Sequence, residues 1–363
     1  MLDRLPALSL ADRAGHRPDP VPLAGVPVLP MPEHVVEAVR RVAGTPFPRI
    51  SRGSPALRAA LAGPLDADPE RELLITHGAQ HGMSVALRAL LTPGDEVLVP
   101  APTYFFDGML RMAGARPVYV PTRAGDGWAA DPQALEAAIT PSTRALLLCN
   151  PNNPTGHTPT RSQLADLVDL AARHGLIVLS DESYERYVHD GPGYVPLQEL
   201  RDRHPDLVTV TSLSKNYAFT HWRIGYVHAP GPLLDRIHAA FEWDAINVGD
   251  IPQVAAEAVV TGPQDWLRPA FGGFRRKRDL LLDVLGAAGV PVVRPAAGIF
   301  AFPDLGRLGT GRGLEDALLA RGIAALAGGA FSGPDDHARI LYGGPEDGIR
   351  ELGCRLTGSG GRE

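Results

Sequence analysis

Between about residues 70 and 230, short apolar runs alternate with stretches whose apolar residues recur at helical spacing. No other feature of the chain restricts its fold as strongly. The runs at 72–76, 96–100, 117–120, 145–149, 176–180, 207–211 and 224–228 are rich in Leu, Ile and Val and end at Gly, Pro or polar clusters. Continuous apolar runs of that length fit strands buried on both faces. Between them, 81–92 carries Met83, Ala86, Leu87, Leu90 and Leu91 along one helical face, and 132–138 and 161–174 also read as helices. The alternation predicts an α/β domain, a mostly parallel sheet covered by helices on both faces. In such sheets ligands collect at the carboxyl ends of the strands, so the residues just after each run are the ones to search for chemistry.

After residue 230 the pattern changes. Stretches 230–241, 249–262 and 264–288 read as helices, the last as one long helix, and strands at 298–302 and 339–342 belong to a smaller α+β domain. The expected division is an N-terminal segment (1–46), a large domain (47–260) and a small C-terminal domain (261–363). The N-terminal segment, proline-punctuated to Pro32 and helical over 33–43, is expected to pack on the small domain or on a partner subunit. The formal net charge of −6, with arginines dispersed, argues against binding nucleic acid or an anionic membrane. No apolar run approaches the ~20 residues that cross a bilayer. Two cysteines, Cys149 and Cys354, cannot build a disulfide framework. With no secretory leader at the N-terminus, the expected location is the cytoplasm. The final Gly-Ser-Gly-Gly-Arg-Glu reads as a frayed tail.

Of 35 basic residues only two are lysines, Lys215 and Lys277. Lys277 lies in the charge run Arg-Arg-Lys-Arg-Asp (275–279) and reads as part of a solvated helix face. Lys215 lies in Thr-Ser-Leu-Ser-Lys-Asn-Tyr (211–217), directly after a buried strand. Burial there is expected to lower its pKa and make the amine a nucleophile. Other polar groups also follow strands: Asn-Pro-Asn-Asn-Pro-Thr-Gly (150–156), Asp-Glu-Ser-Tyr (181–184), Gly-Ala-Gln (78–80) before a helix, and Pro-Thr-Tyr (102–104). Arg223 follows Lys215 by eight positions. A strand-to-helix turn such as 78–80 exposes backbone N–H groups that favour a phosphate.

In order and spacing, these motifs resemble those of the pyridoxal-phosphate-dependent enzymes of fold type I, and within them the class I/II aminotransferase family. The resemblance runs from about residue 20 to 357. It implies an aspartate-aminotransferase-like fold and pyridoxal 5'-phosphate as cofactor, held by Lys215 as an internal aldimine. It further implies that Asp181 pairs with the pyridine nitrogen, that Tyr184 and Asn153 hydrogen-bond the phenolic oxygen, and that Tyr104 stacks on the ring. The phosphate is expected on the backbone N–H groups of the Gly78–Ala79–Gln80 turn, with Ser212, Ser214 and Arg223 around it. Arg339, in Ala-Arg-Ile-Leu-Tyr (338–342), takes the role of the arginine that grips the substrate carboxylate, and Gly25 lies beside that carboxylate. The implied partners are a small amino acid substrate and a second copy of the chain, in amino acid metabolism or biosynthesis.

Upstream of residue 53, where the family usually places a tyrosine donated to the neighbouring subunit's phosphate, this chain has Phe47, Arg49 and Arg52. His77 stands where Asn is common, and Trp222 where a smaller residue is usual. These departures leave the reaction open between transamination, the expected outcome, and a lyase, decarboxylase or cyclase on the same scaffold. A nicotinamide enzyme is disfavoured, because the one suitable glycine cluster, 309–313, lacks a preceding strand and a downstream acid.

Overall fold

The computed structural model describes residues 4–15, 20–23, 25–26, 29–45, 50–191 and 193–358. The seven expected runs of the first region become β1 (Leu73–Thr76), β2 (Glu96–Ala101), β3 (Arg116–Pro121), β4 (Thr143–Cys149), β5 (Ile177–Asp181), β6 (Leu207–Thr211) and β7 (Gly225–His228). They form one sheet in the order β1-β7-β6-β5-β4-β2-β3. The neighbours from β3 to β6 are parallel, whereas β7 runs antiparallel to both β6 and β1.

Successive side chains on each strand point to opposite faces, so each run feeds two cores. Val97 and Val99 join the core under helix Ala79–Leu90, while Leu98 joins the one under helix Arg161–His174. Leu147, Leu179 and Val208 divide from Leu146, Val178 and Leu207 in the same way. Each fully buried side chain of this kind stabilises the fold by about 1.5–3 kcal/mol relative to leaving it exposed. Parallel pairing also brings the carboxyl ends together: Cys149 lies opposite Asp181, and Asp181 opposite Val210.

A second sheet, in the order β8-β10-β9, is antiparallel and short: β8 (Phe300–Ala301), β9 (Leu326–Ala327) and β10 (Ala338–Leu341). Leu281, Leu285, Leu318 and Leu352, from the helices Phe274–Ala287, Gly311–Ala320 and Glu346–Thr357, cover Ala301, Ala338 and Ile340 in a separate core.

The sequence does not announce the first helix, Pro6–Ala14, which puts Leu10 against Phe302, Leu319 and Phe331 and pairs Arg13 with Glu315. The next helix, Glu33–Val42, packs on helix Asp250–Thr261. The expected long helix over 264–288 is broken into a 3-10 turn (Asp265–Leu267), a short helix (Arg268–Gly272) and Phe274–Ala287. Two glycines at the junction, 272 and 273, weaken helix continuity there. The charge run at 275–279 is only partly a solvated face: Arg275 and Arg276 are exposed, but the run also turns inward. Arg278 is fully buried, with Nη1 2.6 Å from Asp190 and 3.1 Å from the Pro295 carbonyl. Lys277, half-buried, donates to the Gly343 carbonyl.

Candidate active site

The ends of β4, β5 and β6 converge on Lys215. A four-residue helix, Leu213–Asn216, follows β6 and aims the lysine back over the sheet edge. Its Nζ lies 4.2 Å from the centre of the Tyr184 ring and 5.8 Å from that of Tyr104. Burial acts to lower the pKa of this amine, but Tyr184, Tyr104 and Asp181 outweigh it, and the net shift is upward. That corrects the expectation of a depressed pKa: the expectation counted desolvation and missed the oxygen-bearing neighbours.

Asp181 ends β5. Its Oδ1 accepts from the Ser183 backbone N–H at 3.0 Å and from the Ser183 hydroxyl at 2.5 Å. Among the described residues no hydrogen bond reaches Oδ2. The loop 150–156 is organised by Asn152, whose side-chain oxygen accepts from the Thr155 N–H and hydroxyl while its amide donates to the Pro102 carbonyl. That places the buried Asn153 beside Arg339, whose Nη1 donates to Asn153 Oδ1 at 3.0 Å. Because a guanidinium only donates, the Asn153 oxygen must face it, and the amide N–H groups are left for another acceptor.

One end of the site is made of backbone. Helix Ala79–Leu90 starts at Gly78, and no side chain caps it, so its first N–H groups are free. Gly78 has φ of +84°, and a Cβ there would lie 3.0 Å from the Arg223 guanidinium. Arg223 itself holds φ of +52°, a conformation that is uncommon outside glycine. Among the described residues its guanidinium has no hydrogen-bond or ion-pair partner. Ser212 caps the lysine's helix through its backbone oxygen only, so its hydroxyl is not used there. Ser214 stands apart from this group: its hydroxyl donates to the Ile224 carbonyl and accepts from the Ile224 N–H. The Tyr104 hydroxyl reaches the Gln80 side chain at 3.3 Å.

The other end spans both sheets. Arg339 on β10 has its guanidinium 4.8 Å from the Phe331 ring centre and 5.7 Å from that of Phe105, and these two rings stack on each other. Burial lowers the pKa of Arg339, and no carboxylate pairs with it among the described residues. A cation held among aromatic rings without an acid partner is a site for an anion. A Cβ on Gly25 would lie 3.6 Å from Ile299 and 4.0 Å from Leu341, so Gly25 sits on the same side as β10.

Of the departures upstream of residue 53, Phe47 and Arg49 lie outside the described residues. Arg52 is engaged elsewhere, donating to the Glu70 carbonyl and to Asp235, each at 2.9 Å. His77 packs on His81, and burial, with His81, lowers its pKa. Sequence reasoning did not single out Phe105, Phe331 or Tyr187. Each is an aromatic residue with no motif around it, and only the fold shows what it touches.

The arrangement fits pyridoxal phosphate. The uncapped helix start, the close approach of Gly78 to Arg223 and the adjacent Ser212 suit a dianionic phosphate. From there, Tyr104, Lys215 and Tyr184 lead across to Asp181 and Asn153.

A family model described as aminotransferase class I and II matches residues 25–356. The aspartate/prephenate aminotransferase of Thermus thermophilus is 32% identical over 341 residues, covering 90% of this chain and 87% of that protein. The solved structure of Thermus thermophilus aspartate aminotransferase with maleate superposes with a TM-score of 0.91 at 32% identity, covering 98% of this chain and 97% of the other. That of N-succinyldiaminopimelate aminotransferase from Mycobacterium tuberculosis gives 0.87 at 30% identity, with 97% and 95% covered.

Proposed function

We propose residue roles and a substrate class from a plain premise: the chain belongs to the aminotransferase class I and II family and is a pyridoxal-phosphate-dependent aminotransferase. The observation that carries the substrate reading is Arg339, a cation with aromatic neighbours and, among the described residues, no acid partner. Its planar fork takes the α-carboxylate of an amino acid or of a 2-oxo acid. Pyridoxal phosphate, when bound, supplies an electron sink for negative charge on the substrate's α-carbon.

The chain's own groups do the rest. Lys215 holds the cofactor and, once released by substrate, carries the proton to and from the α-carbon as general acid and base. Asp181 keeps a proton on the pyridine nitrogen, its position set by Ser183. Tyr184 and the Asn153 amide donate to the ring oxygen, and Tyr104 covers the ring face. The Ala79 and Gln80 N–H groups, the Ser212 hydroxyl and Arg223 bind the phosphate. Ser214 acts one step removed, by pinning the lysine's helix to the entry of β7. Gly25 leaves room beside the substrate carboxylate.

Around Arg339 the neighbours are Phe105, Phe331 and the apolar strand residue Leu341, which favours an apolar or aromatic side chain over an acidic one. Turnover of a series of amino acids with one 2-oxo acid acceptor tests this. Phenylalanine or leucine is expected to exceed aspartate in kcat/KM, and aspartate as the best donor overturns the substrate class.

The chain works as a homodimer. Supporting this, Trp243 is 95% exposed and Ile246 65% exposed at the corner before helix Asp250–Thr261, next to the turn that carries Gly78. Sedimentation is expected to give twice the chain mass, and Trp243→Glu to shift it towards the monomer. Cys149 and Cys354 are not joined by a disulfide, which suits a cytoplasmic enzyme of amino acid biosynthesis. The separate cores suit a large cofactor domain (47–260), a small domain (261–363) and an N-terminal segment (1–46), whose helix Pro6–Ala14 packs on the small domain.

A further inference from the structure

Lys215 sits on a helix of only four residues, too short to hold its own geometry. Its carbonyl is among the last of that helix, the groups that intrahelical bonds leave unpaired. Backbone donors just past the helix meet it, the Ala218 N–H at 3.1 Å among them, and from outside the segment comes the Tyr187 hydroxyl at 2.8 Å. Tyr187 is 1% exposed, packed between Tyr184, Phe271 and Phe274. Its backbone is tied to the approach of the small sheet. The Gly298 N–H donates to the Tyr187 carbonyl at 2.8 Å, Val188 bridges Ala297, and the His189 N–H donates to Ala296. The same stretch is pinned from the other side, where the Ala297 N–H donates to Gly156 at the end of the loop that carries Asn153. A side chain on Gly156 would collide with Pro295 and Ala297. Three residues after Ala297, Phe300 enters β8, which pairs with the strand carrying Arg339.

We propose that Tyr187 is a positioning residue: its hydroxyl sets the height of the Lys215 backbone, and its main chain ties that height to the strand pair bearing Arg339. The lysine amine and the carboxylate fork are thereby held in one spacing, the one the α-carbon of a bound amino acid must bridge. This rests on Lys215 being the cofactor lysine.

The test compares Tyr187→Phe, which removes the hydroxyl alone, with Tyr187→Leu, which also removes the ring. Tyr187→Phe is expected to keep cofactor occupancy and the lysine-dependent visible band, to lower kcat about tenfold and to change KM less than about twofold. In the cofactor-free protein its amides over 212–219 exchange with solvent faster than in the parent chain, a readout independent of catalysis. Unchanged kcat and unchanged exchange in Tyr187→Phe overturn the role. So does a loss confined to Tyr187→Leu, since ring packing is then all that matters, and so does failure of Tyr187→Phe to fold. Failure of the underlying reading looks different: the parent protein would show no visible band that Lys215→Ala removes.

Discussion

The two ends of the site are built in opposite ways. The phosphate end is made within the large sheet, from the uncapped start of helix Ala79–Leu90, a glycine that leaves room, and an arginine eight residues past the lysine. The carboxylate end brings together Asn153 and Arg339, 186 positions apart, across two sheets with separate cores. A backbone cradle has few ways to be wrong and binds any phosphate ester of the right size. A cross-domain fork depends on how the two sheets sit against each other, and in the proposed reading it is where substrates are told apart.

Removing the lysine that both ends serve should have the largest effect. Lys215→Ala is expected to abolish the lysine-dependent visible band and lower kcat by about a thousandfold or more, while Lys277→Ala leaves the band in place. Retention of the band in Lys215→Ala would end the assignment. Arg339→Lys comes next. Loss of the planar fork should raise KM for the amino acid by about ten- to a hundredfold without altering cofactor affinity. An equal loss of both would show that the two ends are not separable.

Gly78→Ala probes the opposite end. A methyl 3.0 Å from Arg223, on backbone at φ +84°, should weaken cofactor binding about tenfold, with KM for the amino acid little changed in cofactor excess. Equilibrium titration with pyridoxal phosphate measures it.

The smallest effect concerns stability away from both ends. Burial raises Glu182 to about 8 from an ordinary 4.5, while Tyr194 and the Leu197 N–H hydrogen-bond its carboxyl group. The folded state thus holds a proton that the unfolded chain releases at lower pH. The stability this gives is complete below about 4.5 and is lost as pH rises through about 8. Glu182→Gln should therefore flatten the decline of Tm between pH 5 and 8, and an unchanged slope in thermal melts refutes it.

Part of the site was legible in the sequence because it is local. Lys215, Asp181 and Asn153 each lie within four residues of the end of an apolar run, and a parallel sheet must gather such positions on one edge. The long helix misread over 264–288 and the buried Arg278 were not legible. Helical spacing continues through the glycine pair, and a charge run looks the same whether it meets water or Asp190.

Composition and periodicity alone determined the α/β architecture and the mostly parallel core, and they set Lys215, behind a buried strand, apart from Lys277. Arginine supplies charge but no amine that can act as a nucleophile at neutral pH, so of the two lysines the one behind a buried strand stood out. Only the tertiary structure decided that Tyr184, Tyr104 and Asp181 raise the pKa of that amine against its burial, that Arg339 turns Asn153, and that Tyr187 joins the lysine to the small sheet. Those are contacts between residues whose separation in the chain carries no periodic signal, and packing alone brings them together.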